Sequence, residues 1–108
     1  TEYLKVSALA QVNFIPIVNH VWGSALSIAV NLHLLTSMPD MPGGLFPSKP
    51  MLEFDTTSKN IFVTDLSEEK FSILDQIKKN NGFAKPLEEI GIGINPCKNF
   101  IKKYEISD

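Results

Sequence analysis

Two residues of this chain combine a reactive side chain with a position at which chemistry is commonly done. His20 follows the short apolar run Ile15-Pro16-Ile17-Val18, in the segment Asn19-His20-Val21-Trp22-Gly23-Ser24. Glu53 lies about thirty residues later, inside a second short run, Met51-Leu52-Glu53-Phe54. Imidazole changes protonation near neutral pH, so a histidine at a strand exit can remove or return a proton. The plainer alternative is an ordinary loop histidine. Glu53, flanked by Leu52 and Phe54, also has two readings. It is either half of a buried ion pair with a lysine, or a carboxylic acid that apolar surroundings keep protonated and able to donate.

Around these two stand Asn19, Trp22 and Asp55. Asn19 and Asp55 are polar neighbours suited to substrate binding, or else cap and turn residues. Trp22 can wall a pocket, although packing alone would account for it. His33, inside an apolar helix, reads as a packing or surface residue. Cys97, in the first turn of a closing helix, has no histidine nearby in sequence to activate it and reads as structural. Lys78, Lys79, Lys102 and Lys103 read as solvated faces.

Several elements must position those residues. Glu2 suits the first turn of a helix that Thr1 can cap, with Val6, Leu9 and Ala10 defining its buried face. Asn13 and Phe14 end it. Residues 15–18 read as a strand buried on both faces, with Pro16 near its beginning because proline cannot donate to a ladder. Ser24 is a natural N-cap for a helix over roughly 25–37, apolar on nearly every side and so in need of cover on more than one face. Pro39, Pro42, Gly43, Gly44, Pro47 and Pro50 mark a long loop, and residues 51–54 a second strand. Helix, strand, helix, strand with apolar strands implies parallel pairing in an α/β fold. Two parallel strands leave faces and edges uncovered, so this part of the chain wants more strands than it supplies.

Beyond Asp55 the character changes. Asp65 or Ser67 suits the cap of a segment presenting Phe71, Leu74 and Ile77, which runs into Asn80-Asn81-Gly82. Residues 90–94, Ile-Gly-Ile-Gly-Ile, alternate like a strand at a close backbone approach. Asn95-Pro96 reads as the N-cap and first residue of a closing helix lined by Cys97, Phe100, Ile101 and Tyr104.

Composition narrows the function classes. The net charge is −2, which gives no electrostatic basis for binding nucleic acid or an anionic membrane. All 10 basic residues are lysines, so the bidentate arginine clamp for carboxylate or phosphate is missing. The apolar region over 25–35 is interrupted by Ser27, Asn31 and His33 and is well short of the ~20 residues that span a bilayer. One cysteine allows no internal disulfide, which fits a cytoplasmic setting.

Three segments carry a resemblance. Val18 to Ser24 resembles the His-Val-Trp-Gly segment ending the seventh barrel strand of mandelate racemase/muconate lactonizing-type enzymes of the enolase superfamily. Pro50-Met51-Leu52-Glu53-Phe54-Asp55 is similar to the Leu-Glu-Phe-Asp segment of their eighth strand. Gly82, Pro86, Gly91, Gly93 and Ile94 match the spacing of their C-terminal pattern, in which a Gly and a Pro precede Gly-Leu-Gly-Ile. All three occur in the family's order and together span nearly the whole chain. The chain departs at Asn13-Phe14, where relatives commonly have glycine, at Asn19, where proline is frequent, and at Leu87-Glu88-Glu89-Ile90, where Asp-Gly-Pro-Gly is usual.

The resemblance implies the last part of a (β/α)7β barrel. Residues 1–57 would supply its sixth helix, seventh strand, seventh helix and eighth strand. Residues 58–108 would form a C-terminal extension packing against a capping domain. It implies that His20 and Glu53 are catalytic, at the barrel mouth, which makes their neighbours Asn19, Trp22 and Asp55 the candidates for binding substrate. In the family the matching histidine pairs with an aspartate on the preceding strand, and the matching glutamate donates to a developing enolate. The reaction implied is abstraction of the proton α to a carboxylate, with the enolate stabilised by Mg²⁺. The metal's ligands and a second, lysine base are expected upstream of this segment, with no metal ligand assigned within it. The substrate would be a hydroxy or sugar acid. Dehydration ranks ahead of racemisation, epimerisation or cycloisomerisation, and the full enzyme is expected to be a homo-oligomer. From a different class comes a non-catalytic chain that assembles with a partner supplying the remaining barrel.

Overall fold

A computed structural model describes residues 2–40, 48–55, 60–68 and 73–106. In chain order the elements are α1 (Glu2–Val12), β1 (Val18–Asn19), α2 (Ala25–Thr36), β2 (Met51–Leu52), α3 (Ile61–Thr64), α4 (Ile73–Lys79) and α5 (Lys98–Tyr104). Helix and strand content is thus mixed, as an α/β chain requires. Strands β1 and β2 pair in parallel, Val18 with Met51 and Asn19 with Leu52, with α2 as the crossover between them. No helix among the described residues is long and apolar enough to cross a membrane.

The core is built on one stripe of α2. Ala25, Ile28, Ala29 and Leu32 recur at the spacing that keeps side chains on one helical face, and all four are buried. Val21 and Ile94 complete the cluster, with Leu52, Phe54, Val63, Ile77, Ala84, Leu87 and Ile92 packed around it. The segment after Asp55 therefore covers the same helix face as the strands do. Ser24 caps α2 as its sequence predicts, accepting from the Ser27 N–H at 3.4 Å. Among the described residues Leu26 also packs against this cluster, Leu34 and Leu35 are half-buried, and Val30 is exposed.

The structure corrects several expectations. In α1 the inward stripe is Tyr3, Ser7 and Ala10, whereas Val6 and Leu9 are 62% and 66% exposed. On that stripe the Tyr3 hydroxyl lies 2.9 Å from Asn19 Oδ1 and 2.8 Å from Met38 Sδ, while Val6 and Leu9 stay open among the described residues. Strand pairing covers Val18–Asn19 rather than residues 15–18, because Pro16 offers no donor and β2 begins only at Met51. Phe14 ends α1 by adopting a left-handed conformation, φ 57°.

Residues 90–94 are turns, not a strand. Gly91 and Gly93 take φ of +76° and +84°, which breaks extension, yet Ile94 is buried and Ile92 half-buried against the core. Asn95 and Pro96 do not open α5. Pro96 bridges to Ser67, Cys97 takes the N-cap, and its N–H donates to Leu66 O at 2.7 Å. Of the face expected on α5, Phe100 meets Phe62 edge-on and Tyr104 meets it at a tilt, while Ile101 and Tyr104 are both exposed. Asp65 terminates α3 instead of capping a later helix. The Thr1 cap, Phe71 and residues 41–47 of the proline-rich loop lie outside the described residues.

Gly93 is fixed by two constraints at once. Its φ is left-handed, and a Cβ there would lie 2.7 Å from the Leu87 Cβ and 2.9 Å from the Leu87 carbonyl oxygen. Gly93→Ala should therefore destabilise the protein carrying this chain by about 1–3 kcal/mol, read by chemical denaturation. An unchanged midpoint would refute the turn.

Much apolar surface stays open: Val6, Leu9, Val12, Phe14 and Ile15 around α1, and Val18 and Met51 on the sheet. Surface of that kind drives association. Residues 1–108 expressed by themselves should self-associate at low micromolar concentration in analytical ultracentrifugation. A monomer with a cooperative melt would contradict this.

Candidate active site

Strand parity decides which side chains meet. Successive residues of a strand face opposite sides, so in-register parallel partners share a face. Along the first segment Val18, His20 and Trp22 are exposed while Asn19 and Val21 are buried; along the second Met51 and Glu53 are exposed while Leu52 and Phe54 are half-buried. The buried set faces α2. The exposed set, Val18 and His20 beside Met51 and Glu53, forms the other face. The pairing extends one step past the strands, because the Glu53 N–H donates to the Asn19 carbonyl at 2.8 Å. That bond brings Glu53 alongside His20.

The two side chains touch. His20 Nδ1 lies 2.6 Å from Glu53 Oε2, and the side chains are 76% and 60% exposed. Glu53 is thus paired with a histidine on an open face, not buried against a lysine. Nor do the described residues supply the apolar enclosure that the protonated-acid reading invokes. As a carboxylate, Glu53 accepts from Nδ1–H. The ring's Nε2 then carries the lone pair, and it is the atom able to take a proton from another molecule. At this exposure water screens the pair, so its value lies in orienting the ring more than in stabilising the fold.

An open depression surrounds the pair, lined by His20, Val21, Trp22, Glu53, Phe54 and Asp55. Of these lining residues Trp22 is 76% exposed and Asp55 is half-buried. Asn19 is not there. It is 8% exposed and turned toward the helices, where Oδ1 accepts from Tyr3 and Nδ2 donates to Asn31 Oδ1 at 2.8 Å. Its place in β1, one residue before His20, sends it to the opposite face. Its side chain therefore lies on the α1 and α2 side of the strand, away from the depression that His20 and Glu53 line.

Other candidates fall elsewhere. His33 is half-buried, with Nε2 3.2 Å from the Ile92 carbonyl, so it joins α2 to the glycine turn. Cys97 is half-buried at the α5 N-cap, and its side chain makes no cap hydrogen bond. No group of three His, Cys, Asp or Glu among the described residues could hold a metal ion.

The sequence reading missed Tyr3, Asn31 and Asn60. Asn31 interrupts an otherwise apolar helix, and a polar residue in that setting is a signal that a buried partner awaits it. Asn60 caps α3 through Oδ1 and reaches the Gly23 carbonyl with Nδ2 at 3.3 Å, bracing the turn between His20 and α2. Nothing in the spacing announced that contact.

No family model matches the chain, and no solved structure matches it. Over 108 residues, all of this chain, it is 27% identical to the D-galactarolactone cycloisomerase of Agrobacterium fabrum (strain C58 / ATCC 33970). It spans 27% of that protein's length. The likeness runs from end to end and supports the resemblance at the level of the enolase superfamily and of an isomerase-bearing enzyme family.

Proposed function

We propose that this chain is the C-terminal portion of an enolase-superfamily enzyme in which His20 transfers the proton α to a substrate carboxylate. The observation that carries the reading is the contact between His20 Nδ1 and Glu53 Oε2 on the open face of two parallel strands. In this reading β1 and β2 are the last two strands of a (β/α)7β barrel, and residues 58–108 are its extension toward a capping domain. The apolar face of Val18 and Met51 would then turn toward the barrel interior. The catalytic pair would stand at the C-terminal ends of the strands, where such barrels carry their sites.

The chemistry follows from the atoms. Glu53 accepts from Nδ1–H and holds the ring, leaving Nε2 free to take the α proton. The C–H electron pair passes into the substrate carboxylate as an enolate. Trp22 and Asp55, which line the depression, would contact the substrate. The ligands of the metal that the resemblance implies are proposed in the remainder of a longer chain, with the second base.

What the enolate does next sets the outcome. If it expels a free β-hydroxyl, the product has lost water, and the enzyme is the sugar-acid dehydratase that the resemblance ranks first. If the expelled oxygen belongs to a lactone ring, it stays attached and the product is an isomer. The printed name of the Agrobacterium protein favours this second reading, a sugar-acid lactone cycloisomerase. Both share the His20 step. Mass spectrometry of products separates them, since dehydration yields a product one water lighter and cycloisomerisation leaves the mass unchanged.

Two outcomes are expected. In the complete enzyme His20→Asn should keep the fold and lower kcat by ~100-fold or more, because an amide cannot carry the proton. Glu53→Gln should cost less, since an exposed amide can turn its oxygen toward Nδ1. Retained turnover in the His20 variant would overturn the assignment. Residues 1–108 alone should bind Mg²⁺ no better than any acidic surface does, and micromolar one-to-one binding by calorimetry would contradict this.

A further inference from the structure

We infer that Asn19 is a positioning residue for the His20–Glu53 pair, set by side-chain hydrogen bonds to Tyr3 on α1 and Asn31 on α2. The inference rests on the proton-transfer reading of that pair. Asn19 is the last residue of β1 and is buried, yet its amide is satisfied at both ends. Oδ1 accepts from the Tyr3 hydroxyl at 2.9 Å, a hydroxyl that also has Met38 Sδ at 2.8 Å, and Nδ2 donates to Asn31 Oδ1 at 2.8 Å. Asn31 is fixed in turn, its own Nδ2 donating to the Ser27 carbonyl one helical turn back at 2.9 Å. Opposed bonds, one accepted from one helix and one donated to another, allow the amide a single orientation and fix the rotation of the strand about its axis.

The same residue reaches both members of the pair through its backbone. Its carbonyl accepts the Glu53 N–H at 2.8 Å, and its C-terminal peptide carries His20. A rotation of this peptide would tilt the imidazole and displace the glutamate backbone, moving both ends of the 2.6 Å contact between Nδ1 and Oε2. An apolar side chain would fill the space against the helices equally well. What the asparagine adds is direction, and direction is what a proton-transfer pair needs.

The test uses the complete natural protein. Asn31→Ala leaves Asn19 in place but removes its acceptor, and Leu32→Val weakens the same helix without touching the polar chain. Asn31→Ala should lower kcat about 10-fold with KM changed by no more than about 2-fold. Nitrogen-15 NMR of the His20 ring should also show loss of the preference for the Nδ1–H tautomer. Leu32→Val should lower the melting temperature while leaving both readouts at parental values. If Asn31→Ala does not fold, Tyr3→Phe removes a single hydroxyl and should shift both readouts the same way, kcat by about 3-fold. Parental kcat and tautomer in the folded variants, or equal losses in Leu32→Val, would overturn the inference. Should the parent protein show no proton-transfer activity, the functional reading fails separately, and the tautomer measurement, which needs no turnover, still decides the role of Asn19.

Discussion

The register of two short parallel strands governs what this chain can do. Val18 lies beside Met51 and Asn19 beside Leu52, and the next backbone bond, Glu53 N–H to Asn19 O, extends the match to His20 and Glu53. Because side chains alternate, a slip of one residue would send Glu53 toward α2 and bring Leu52 or Phe54 out beside His20. The buried stripe of α2 opposes that slip. Leu52, Phe54 and Val21 pack on it, so the apolar contacts that stabilise the sheet also dictate which polar groups meet on its other side. Packing and site are two faces of one register.

The faces differ in how completely this chain covers them. On the helix side, α2 and the segment after Asp55 enclose a common core, with Ile94 delivered by a turn that Gly91 and Gly93 make possible. On the other side Val18 and Met51 lie open, as does the outer stripe of α1. An α/β sheet with parallel strands is ordinarily covered on both faces. The proposal that further barrel strands and a capping domain come from a longer chain accounts for both exposures, and agrees with a relative of which this chain spans about a quarter.

Much of this was legible in the residues. The Ser24 cap, the extent of α2, the parallel pairing and the break at Asn13-Phe14 followed from local chemistry that tertiary contacts did not override. Val6 and Leu9 carried the stronger hydrophobic signal in α1, but it is Tyr3, Ser7 and Ala10 that face the rest of the described residues. Likewise, Asn19 looked like a substrate ligand from its place beside His20, whereas strand alternation put it on the opposite face. The Ile-Gly-Ile-Gly-Ile run alternated like a strand, yet two left-handed glycines made it a turn that keeps Ile92 and Ile94 directed inward. The identity of Glu53's partner depended on register, which no single segment encodes.

The central claim is that His20 and Glu53 act as one proton-transfer unit because the register places them in contact. A double-mutant cycle in the complete enzyme tests it most directly, comparing kcat for His20→Asn, Glu53→Gln and the double variant. If the glutamate acts through the imidazole it orients, the double variant should be no slower than His20→Asn alone. Losses that simply multiply would show that the two residues contribute independently and would contradict the account.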